Sequence, residues 1–432
     1  MKINTRSACV NRGHVLITAM VIVGVLLIGI AADLSLISYQ FKATVRSAAW
    51  NKAIAVAEAG IEEAYAHINV NGFDNYSANG WAITTNGYWK QRSLGSNYYF
   101  VTIVTNGNPS FVSDGYVTIP PSTNSLKRTV QVALTSQGIW RGAMLARETI
   151  TLNGNGVSSD SFNSTNTAFS TNGQYDPSKR AANGDIASNS RLPNCINIGN
   201  GDIYGSVDTG PNGTVSIRNG SVGDLAWHAA GRSGVQPDYS RNDMNVAFKD
   251  VVIPSTIPDR GSAGSGRVDG VTYVMIMGSH NYVLSSLSLS GQSKVLVSGN
   301  ATLYISEDIS MTGQSSITIA TNASLTIYMS GASASFGGNG VLNSSGKAAN
   351  FQYLGTPQNT SISLSGNSAF AGCIYAPNAA LSLSGGGNDN LDFIGSTVSR
   401  SVSMNGQFNF HYDESIGNTN VFGWAIASWN EL

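Results

Sequence analysis

The sequence predicts a mainly β protein: a long N-terminal transmembrane α-helix, a small antiparallel sheet and then a right-handed parallel β-helix. Three observations predict this class. Residues 15–32 are apolar and carry no charge. The segment after residue 97 is rich in β-branched and aromatic residues. One short phrase returns at intervals of about twenty residues in the second half of the chain. A β-sandwich is the alternative, although it would need hairpins and would rarely reuse one phrase in this way.

The helix predicted for residues 14–68 has two chemically different halves. Residues 15–32 are long enough to cross a bilayer. From Asp33 to Ile68 the chain contains no proline and a single glycine, so the helix can continue out of the membrane. Small or apolar residues then recur every three or four positions on one helix face: Ala53, Ala57, Gly60, Ile61, Ala64 and Ile68. This stripe predicts close packing against another element.

Residues 69–138 are predicted to form a loop and a small antiparallel sheet. Residues 69–93 are rich in asparagine, glycine and aromatic residues, which indicates an irregular loop over the helix. Three strands are predicted next, over residues 97–106, 111–120 and 126–135. The sheet supplies the partner that the helix stripe needs.

Residues 139–432 are predicted to form the β-helix, because one phrase keeps returning. Its copies are ITLNG at Ile150, LSLSG at Leu287, ISMTG at Ile309, ISLSG at Ile362, LSLSG at Leu381 and VSMNG at Val402. Successive later copies are 22 (309 − 287), 19 (381 − 362) and 21 (402 − 381) residues apart. A strand with alternate residues in a core, followed by a Gly-containing corner, is typical of β-helix coils. Residues 160–191, 231–245 and 253–266 lack this pattern and are predicted to be excursions or linkers.

The N-terminus resembles type IV pilin-like proteins, particularly the PilX-like pilus assembly group. A positive leader ends in Arg12-Gly13, an apolar run starts at once, and AVAEAGIEEAYAHI follows from Ala55. The resemblance implies that residues 1–13 are a prepilin-type leader and that a prepilin peptidase cleaves after Gly13, which leaves His14 as the mature N-terminus. It also implies that the helix joins other pilin-like subunits.

Two departures from the family pattern bear on the role of the chain. Major pilins usually begin with Phe and carry Glu at the fifth mature position, where this chain has His14 and Thr18. That Glu is thought to pair with the N-terminal amine of a neighbouring subunit. Its absence favours a minor, tip-located subunit over a bulk filament subunit.

The C-terminal part resembles the β-helical domain found behind PilX-like N-termini in bacterial surface proteins. The resemblance rests on FAGCIYAPNAALSLSG from Phe370, FIGS from Phe393 and FHYDE from Phe410. Because the function of such domains is poorly defined, the resemblance implies an architecture and no activity.

Composition limits the partners. Charged residues make up 11% of the chain and the net charge is −1, whereas an electrostatic nucleic-acid binder would show a basic patch. We therefore expect no nucleic-acid partner. Cys9 lies in the leader, and Cys195 and Cys373 remain. These two could form one disulfide in an oxidising compartment or stay as two separately buried thiols.

The sequence predicts no catalytic, metal or cofactor site, and therefore no enzyme. Asp185, Asp202 and Asp224 lie in Gly-containing turns, where Asp is favoured for local hydrogen bonds. The metal-capable side chains of the 411–414 segment, His411, Asp413 and Glu414, lie too close on one strand to chelate together easily. The competing interpretation is a membrane-held polysaccharide-active β-helix enzyme, which would present several convergent acids on one coil face.

The expected function is that of a minor pilin-like or pseudopilin-like structural subunit that displays a β-helix for surface attachment or pilus assembly. Such a protein is a precursor in the bacterial inner membrane and later reaches the periplasm or cell surface. Its expected partners are the prepilin peptidase, other pilin-like subunits, and a surface polysaccharide or a host-cell or other cell-surface ligand. A third interpretation is a signal-anchored surface protein that is independent of any pilus.

Overall fold

The computed structural model describes residues 12–71, 73, 75–106, 109–120, 124–154, 156–366, 370–385, 391–406, 408–418 and 421–432. The chain divides into two compact units. One comprises Met1–Ser136 and Gly423–Leu432 and is called the helix–sheet unit below; the other, Gln137–Phe422, is called the coil stack. The last ten residues, assigned from the sequence to the β-helix, thus belong to the first unit. The coil stack is inserted between two segments of the helix–sheet unit.

The helix–sheet unit consists of one long helix and a six-stranded sheet. Helix α1 spans Arg12–Asn71, and a short 3₁₀ turn covers Ser77–Asn79. The strands are β1 Ala82–Thr84, β2 Gly87–Leu94, β3 Asn97–Val104, β4 Ser110–Thr118, β5 Ser125–Gly138 and a C-terminal strand, Val421–Glu431. They lie side by side in that order. The pairs from β1 to β5 are antiparallel, as expected for short hairpin connections.

The three strands predicted from the sequence correspond to β3, β4 and β5. The prediction that residues 69–93 form an irregular loop is wrong in its second half, because β1 and β2 lie there. Strand β2 pairs with β3 over its whole length, from Gly87 to Leu94. The aromatic residues of this segment do cover the helix end, since Tyr76 stacks on His67 with ring centroids 4.8 Å apart and on Tyr88 at 3.7 Å.

The coil stack begins with three coils of three short strands each, followed by two short strands that pair with the third coil. In chain order these strands are β6 Met144–Ala146, β7 Ile150–Leu152, β8 Ser158–Phe162, β9 Ile186–Ser188, β10 Ile196–Gly199, β11 Asp202–Tyr204, β12 Val207–Thr209, β13 Val215–Ile217, β14 Ser221–Gly223, β15 Gly234–Val235 and β16 Ser240–Arg241. A 3₁₀ turn, Pro177–Lys179, lies in the excursion before β9. A short helix, α2 Leu225–Ala229, lies between β14 and β15.

The rest of the coil stack follows after a segment without strands. Its strands are β17 Gly264–Val268, β18 Val271–Met277, β19 Asn281–Leu284, β20 Leu287–Leu289, β21 Lys294–Val297, β22 Asn300–Ile305, β23 Ile309–Met311, β24 Ser316–Ile319, β25 Ser324–Met329, β26 Ser333–Phe336, β27 Val341–Asn343, β28 Phe351–Gly355, β29 Ser361–Gly366, β30 Phe370–Gly385, β31 Leu391–Gly406 and β32 Phe408–Asp413. Two further 3₁₀ turns cover Ala348–Asn350 and Glu414–Asn418.

Strands of successive coils pair in parallel, which is the pairing expected of a β-helix. In several coils three strands follow one another, for example β22, β23 and β24, and these pair with β25, β26 and β27 of the next coil. The long strands β30 and β31 each extend over two faces. Only the β17–β18 pair is antiparallel among the described strands of the stack. A β-sandwich of hairpins is therefore excluded for the described part of the chain. The predicted right-handedness stays a prediction.

The order of coils along the stack differs from their order in the chain. The chain enters at β6 and runs coil by coil to β16. It then resumes at the opposite end, with β19, and returns coil by coil until β31 pairs with β6. The first and last coils are therefore neighbours in the middle of the stack. We call their contact the seam.

The repeated phrase forms one continuous face of the stack, called face 2 here. Its first apolar residues lie in register, coil on coil, and are all buried: Leu287, Ile309, Ala334, Ile362, Leu381, Val402, Ile150 and Ile196. The prediction that the copies stack is confirmed. The intervening polar residues point outward in a matching row, from Ser288 to Ser216.

The segment without strands, residues 244–260, joins the two ends of the stack and is called the strap. It contacts the coils in reverse order. The Met244 amide donates to the carbonyl of Thr209 at 3.0 Å, Tyr375 Oη donates to the carbonyl of Lys249 at 2.7 Å, and Asn281 Nδ2 donates to the carbonyl of Pro258 at 2.8 Å. About eight coil steps of 4.8 Å need roughly 40 Å, which an extended segment of this length can span. The predicted linker at residues 253–266 is thus partly strap.

Candidate functional site

The first half of α1 exposes its apolar side chains to the surroundings. From Val15 to Phe41 its large hydrophobic residues are at least half exposed, for example Leu27 at 60% and Ile28 at 72%. Soluble proteins rarely leave such a continuous apolar surface open to water. By length and composition this helix can cross a membrane, as predicted. Gly13 and His14, the residues predicted to flank the cleaved bond, lie just after the first residue of α1.

The second half of α1 packs on the sheet through the predicted stripe. Ala53, Ala57 and Ala64 are fully buried, and Ile61 and Ile68 are nearly so. A Cβ atom on Gly115 of β4 would collide with the backbone of α1 at Ala53 and Ala57. The small residues are therefore needed for a direct helix–strand contact, and each buried Ile adds about 1.5–3 kcal/mol of stabilisation.

One charged group ties the packed half of α1 to the sheet. Glu63 accepts from Lys90 Nζ at 2.9 Å and from Arg92 Nη2 at 2.8 Å, and it also accepts from the Tyr99 hydroxyl. Burial acts to raise the pKa of Glu63, but the hydrogen bond from Tyr99 and the charge of Lys90 outweigh it, so the pKa lies below its ordinary value. Of the neighbouring acids, Glu62 is exposed and Glu58 is half-buried.

The seam holds a cluster of titratable groups from β8, β31, β32 and the excursion before β9. His411 of β32 lies opposite Asp160 of β8 in the parallel register. Its Nδ1 lies 2.6 Å from Asp160 Oδ1, and its Nε2 lies 3.4 Å from Asp392 Oδ1. Tyr175, from the excursion before β9, stacks on the His411 ring and donates its hydroxyl to Asp160 Oδ2 at 2.6 Å. The histidine is therefore held between two carboxylates beneath a tyrosine.

The electrostatics of this cluster favour a charged histidine. Burial acts to lower the pKa of His411, but the hydrogen bonds to Asp160 and Asp392 outweigh it, and the pKa is raised above its ordinary value. The pKa of Asp392 is lowered, chiefly by the hydrogen bond from His411. Both ring nitrogens are directed at carboxylates, so a protonated ring donates on both sides. Through His411 the arrangement links three strands, β8, β31 and β32.

The remaining acids of the last strand also bridge the seam. Asp413 Oδ1 accepts from the amides of Ser164 at 3.0 Å and Ser415 at 3.1 Å. Glu414 Oε1 accepts from Ser161 Oγ and Asn183 Nδ2, both at 2.7 Å. This agrees with the prediction that the 411–414 segment ends the last coil. Among the described residues, no three His, Cys, Asp or Glu side chains are grouped so that they could hold a metal ion.

The three acids singled out in turns are dispersed. Asp224 caps α2 by accepting from the Trp227 amide at 2.7 Å. Asp185 accepts from the Ser206 amide at 2.6 Å, and burial raises its pKa. Asp202 lies on β11, 4.0 Å from His228 Nδ1. Local hydrogen bonding accounts for Asp224 and Asp185, as expected for Asp in turns.

The two cysteines are separate free thiols. Cys195 directly precedes β10 on face 2, whereas Cys373 lies within β30, opposite Ser396 of the next coil. Both are buried, and burial raises the pKa of the Cys373 thiol. The disulfide that the sequence left open is therefore not formed, because the two residues belong to different coils and different faces of the stack.

Sequence reasoning missed the seam cluster. Asp160 and His411 are 251 residues apart, and no local pattern links them. The phrase ITLNG at Ile150 matches VSMNG at Val402, but the same phrase recurs in other coils, so it does not show which coils are neighbours. The Asp160 carboxylate follows the first phrase at nearly the same distance as His411 follows the second.

Part of the coil stack matches a known protein family. Residues 255–419 match a protein family described as a domain of unknown function (DUF7305). The match begins in the strap and ends just after the last coil. It therefore covers the coils that follow the strap in the chain and not those that precede it. No curated protein matches the chain significantly.

Among solved structures, the chain is similar to the crystal structure of competence-associated pilin ComZ from Thermus thermophilus. The sequence identity is 12%, the match covers 88% of this chain and 96% of that chain, and the TM-score is 0.31. A TM-score of this size does not establish a common fold, so the function below is argued from the residues of this chain.

Proposed function

We propose that this protein is a minor pilin-like structural subunit, anchored and assembled through α1, that displays the coil stack for attachment. The observation that carries the proposal is the division of α1 into two halves. Its first half exposes apolar side chains from Val15 to Phe41, and its second half is buried against the sheet from Ala49 to Ile68. The first half can reside in a bilayer before assembly and pack against helices of other subunits afterwards.

The insertion of the coil stack supports a display role. The chain leaves the helix–sheet unit after β5 and returns to it as the C-terminal strand. Within that unit, Arg128 pairs with Glu431 and stacks on Trp50 at 4.7 Å from the ring centroid. Two covalent connections therefore join the bulky stack to the anchored unit. The position of Thr18 where major pilins carry Glu supports placement at a filament tip, because a subunit without this carboxylate cannot neutralise the buried N-terminal amine of the next subunit.

We propose a non-catalytic role for the same protein. The acids that gather at the seam, Asp160 and Asp392, both face His411 and are occupied in holding it. A glycoside-cleaving pair would need one free acid and one free carboxylate on opposite sides of a sugar. This arrangement favours a structural subunit over the polysaccharide-active alternative.

The decisive experiment is N-terminal sequencing of the protein from membranes and from sheared filaments. We expect a mature chain that begins at His14. Gly13→Leu should leave an uncleaved, membrane-held form, whereas Gly24→Leu is the matched control, since nothing lies within 4 Å of a Cβ at that position. A mature N-terminus near Ala32, or no cleavage, would contradict the proposal. Recovery from the cell envelope alone would favour the signal-anchored alternative.

A further inference from the structure

A polar groove opens on face 2, on the first three coils of the chain. It has a volume of about 400 Å³ and is lined by the ends of β7, β10 and β13. The polar side chains that line it are Asn153, Asn197, Asn200, Ser216 and Arg218. Since these residues come from three stacked coils, the groove extends over about 10 Å along the stack.

Three side chains of the groove, Asn197, Asn200 and Arg218, have donor groups without an acceptor among the described residues, whereas Asn153 Nδ2 donates to Asn405 Oδ1 at 3.4 Å. Within the described part of the chain, Asn197 and Asn200 use only their side-chain oxygens, which accept from the Gly199 amide at 3.2 Å and from Asn219 Nδ2 at 3.3 Å. Their amide NH₂ groups donate to no described residue. Arg218 is exposed and forms no ion pair with a described carboxylate. Among the described residues that line the groove there is no Asp or Glu.

These donors define the chemistry of the ligand. A guanidinium binds a carboxylate through two parallel hydrogen bonds, and asparagine NH₂ groups suit hydroxyl and ring oxygens. A single cation beside neutral amides does not fit a nucleic acid, which needs several. The lining is also poor in the apolar surface that would anchor a peptide.

The row of outward polar side chains on face 2 continues beyond the groove. In register with Asn197 and Ser216 lie Thr151, Ser403 and Ser382 on the neighbouring coils. Apart from the carboxamide of Asn197, these neighbouring members of the row carry a hydroxyl group at each coil step of about 4.8 Å, and none of them is charged. An extended, hydroxyl-rich chain could therefore lie along face 2 with one acidic group at Arg218.

We propose that this groove binds an acidic polysaccharide, with the carboxylate of one uronic acid residue held by Arg218 and its hydroxyl groups by Asn197 and Asn200. The inference deepens the proposed function, because it assigns a ligand class and a site to the displayed stack. The site lies outside the residues 255–419 that match a known family.

The test is calorimetric titration of the full-length protein in detergent with trigalacturonic acid. We expect saturable binding that Arg218→Gln weakens about ten-fold, as for loss of a charge-assisted contact. Arg218→Lys should recover part of the affinity. Arg267→Gln is the matched control, since Arg267 is an exposed arginine on β17, at the other end of the stack.

Two further ligands make the test specific. The trimethyl ester keeps the hydroxyl groups and removes the charge, so it should bind about ten-fold more weakly. Sodium sulfate supplies an anion without a sugar and should not compete at equal concentration. Equal binding of the ester, equal binding of sulfate, or no binding of the acid at about 10 mM would overturn the inference. Each of these outcomes is independent of where the N-terminus is cleaved, so failure here leaves the proposed subunit role standing.

Discussion

The helix–sheet unit and the coil stack relate sequence to space in opposite ways. In the helix–sheet unit the strands from β1 to β5 lie in chain order, and each pairs with the next along the chain. In the coil stack the last coil pairs with the first, so that Thr397 lies opposite Met144. The stability of the helix–sheet unit therefore depends on a single close contact between helix and sheet. The stability of the coil stack depends on many similar contacts between neighbouring coils. Mutations should therefore act globally in the first unit and locally in the second.

The largest effect is expected from Gly115→Val. A side chain there would collide with the backbone of α1 at Ala53 and Ala57, which cannot move without separating helix and sheet. We expect a loss of more than about 5 kcal/mol, and thus of native packing in the whole helix–sheet unit. Hydrogen exchange followed by mass spectrometry should show deprotection of β3 to β5 and little change in the coil stack.

The matched control for this change is Gly264→Val. Nothing lies within 4 Å of a Cβ at Gly264, so we expect a change of about 0.5 kcal/mol or less. Native-like exchange in the helix–sheet unit of the Gly115 variant would mean that the unit tolerates a wider helix–sheet separation, contrary to the comparison drawn above.

The second largest effect is expected at the seam, from His411→Phe. Phenylalanine keeps the stacking on Tyr175 but removes both ring N–H donors and leaves Asp160 buried without its cation. Removing one partner of a buried pair costs about 3–5 kcal/mol. The exposed pair His280–Asp259, with its nitrogen and oxygen 3.0 Å apart, is the matched control, and His280→Phe should cost about 1 kcal/mol or less. Equal effects at the two sites, measured by denaturant unfolding, would contradict a role for the buried pair.

The charges at the seam also predict that the stability of this part of the stack depends on pH. Because the pKa of His411 is raised on folding, its stabilisation is complete below the unfolded pKa of about 6.5 and is lost as the pH rises through the folded pKa. The pKa of Asp392 is lowered, so its contribution is present above about pH 4 and is lost in stronger acid. Exchange of residues 158–162 and 408–413 should therefore accelerate as the pH rises above about 6.5, beyond its intrinsic pH dependence. The same residues in His411→Phe should not show this extra acceleration.

Much of the architecture could be predicted from the sequence, because its causes are local. The stripe from Ala53 to Ile68 predicted the buried face of α1, and the phrases at Leu381 and Val402 predicted rungs that pair in register. The coil strand at Ala334 was missed because its phrase, ASFGG, has alanine in place of the branched residue, although Ala334 occupies the same register position as Ile309. A repeated residue pattern therefore predicts a strand of a coil. A strand with other residues is recognised only from its pairing register in the structure.

The candidate sites could be predicted only in part. The apolar half of α1 follows from composition alone. The seam could not be predicted, because the adjacency of Asp160 and His411 depends on the chain crossing the stack along the strap and returning. The pairing of the C-terminal strand with the helix–sheet unit is a similar long-range event, since WAIASWNEL reads as a strand but carries no information about its partner. The groove residues Asn197 and Arg218 converge only when three coils are stacked.

A smaller effect is expected from shortening one buried side chain of face 2, as in Leu381→Ala. Leu381 is buried between Ile362 and Val402, and its truncation should cost about 3 kcal/mol through the lost contacts and the cavity. The neighbouring Ser382→Ala changes an outward side chain and should cost about 0.5 kcal/mol or less. Exchange should increase in β29, β30 and β31 and not in β9 to β12. A uniform increase through all coils would show that the stack unfolds as one unit and would remove the contrast between the two regions.

The smallest effect is expected at the strap, and it tests how the permuted coil order is maintained. Tyr375 donates its hydroxyl to the carbonyl of Lys249, so Tyr375→Phe removes one hydrogen bond between a middle coil and the strap while keeping the ring in the core. A hydrogen bond of this kind contributes about 1 kcal/mol. Tyr328→Phe is the matched control, because Tyr328 lies on the same face and stacks on Tyr304 at 5.0 Å without a described hydrogen bond of its hydroxyl. We expect faster exchange in residues 244–252 for Tyr375→Phe alone, with coil strands unchanged. Equally fast exchange of the strap in both variants and in the unmodified protein would contradict this expectation. The strap would then be a passive connection, and pairing between the strands of neighbouring coils, including those at the seam, would maintain the coil order.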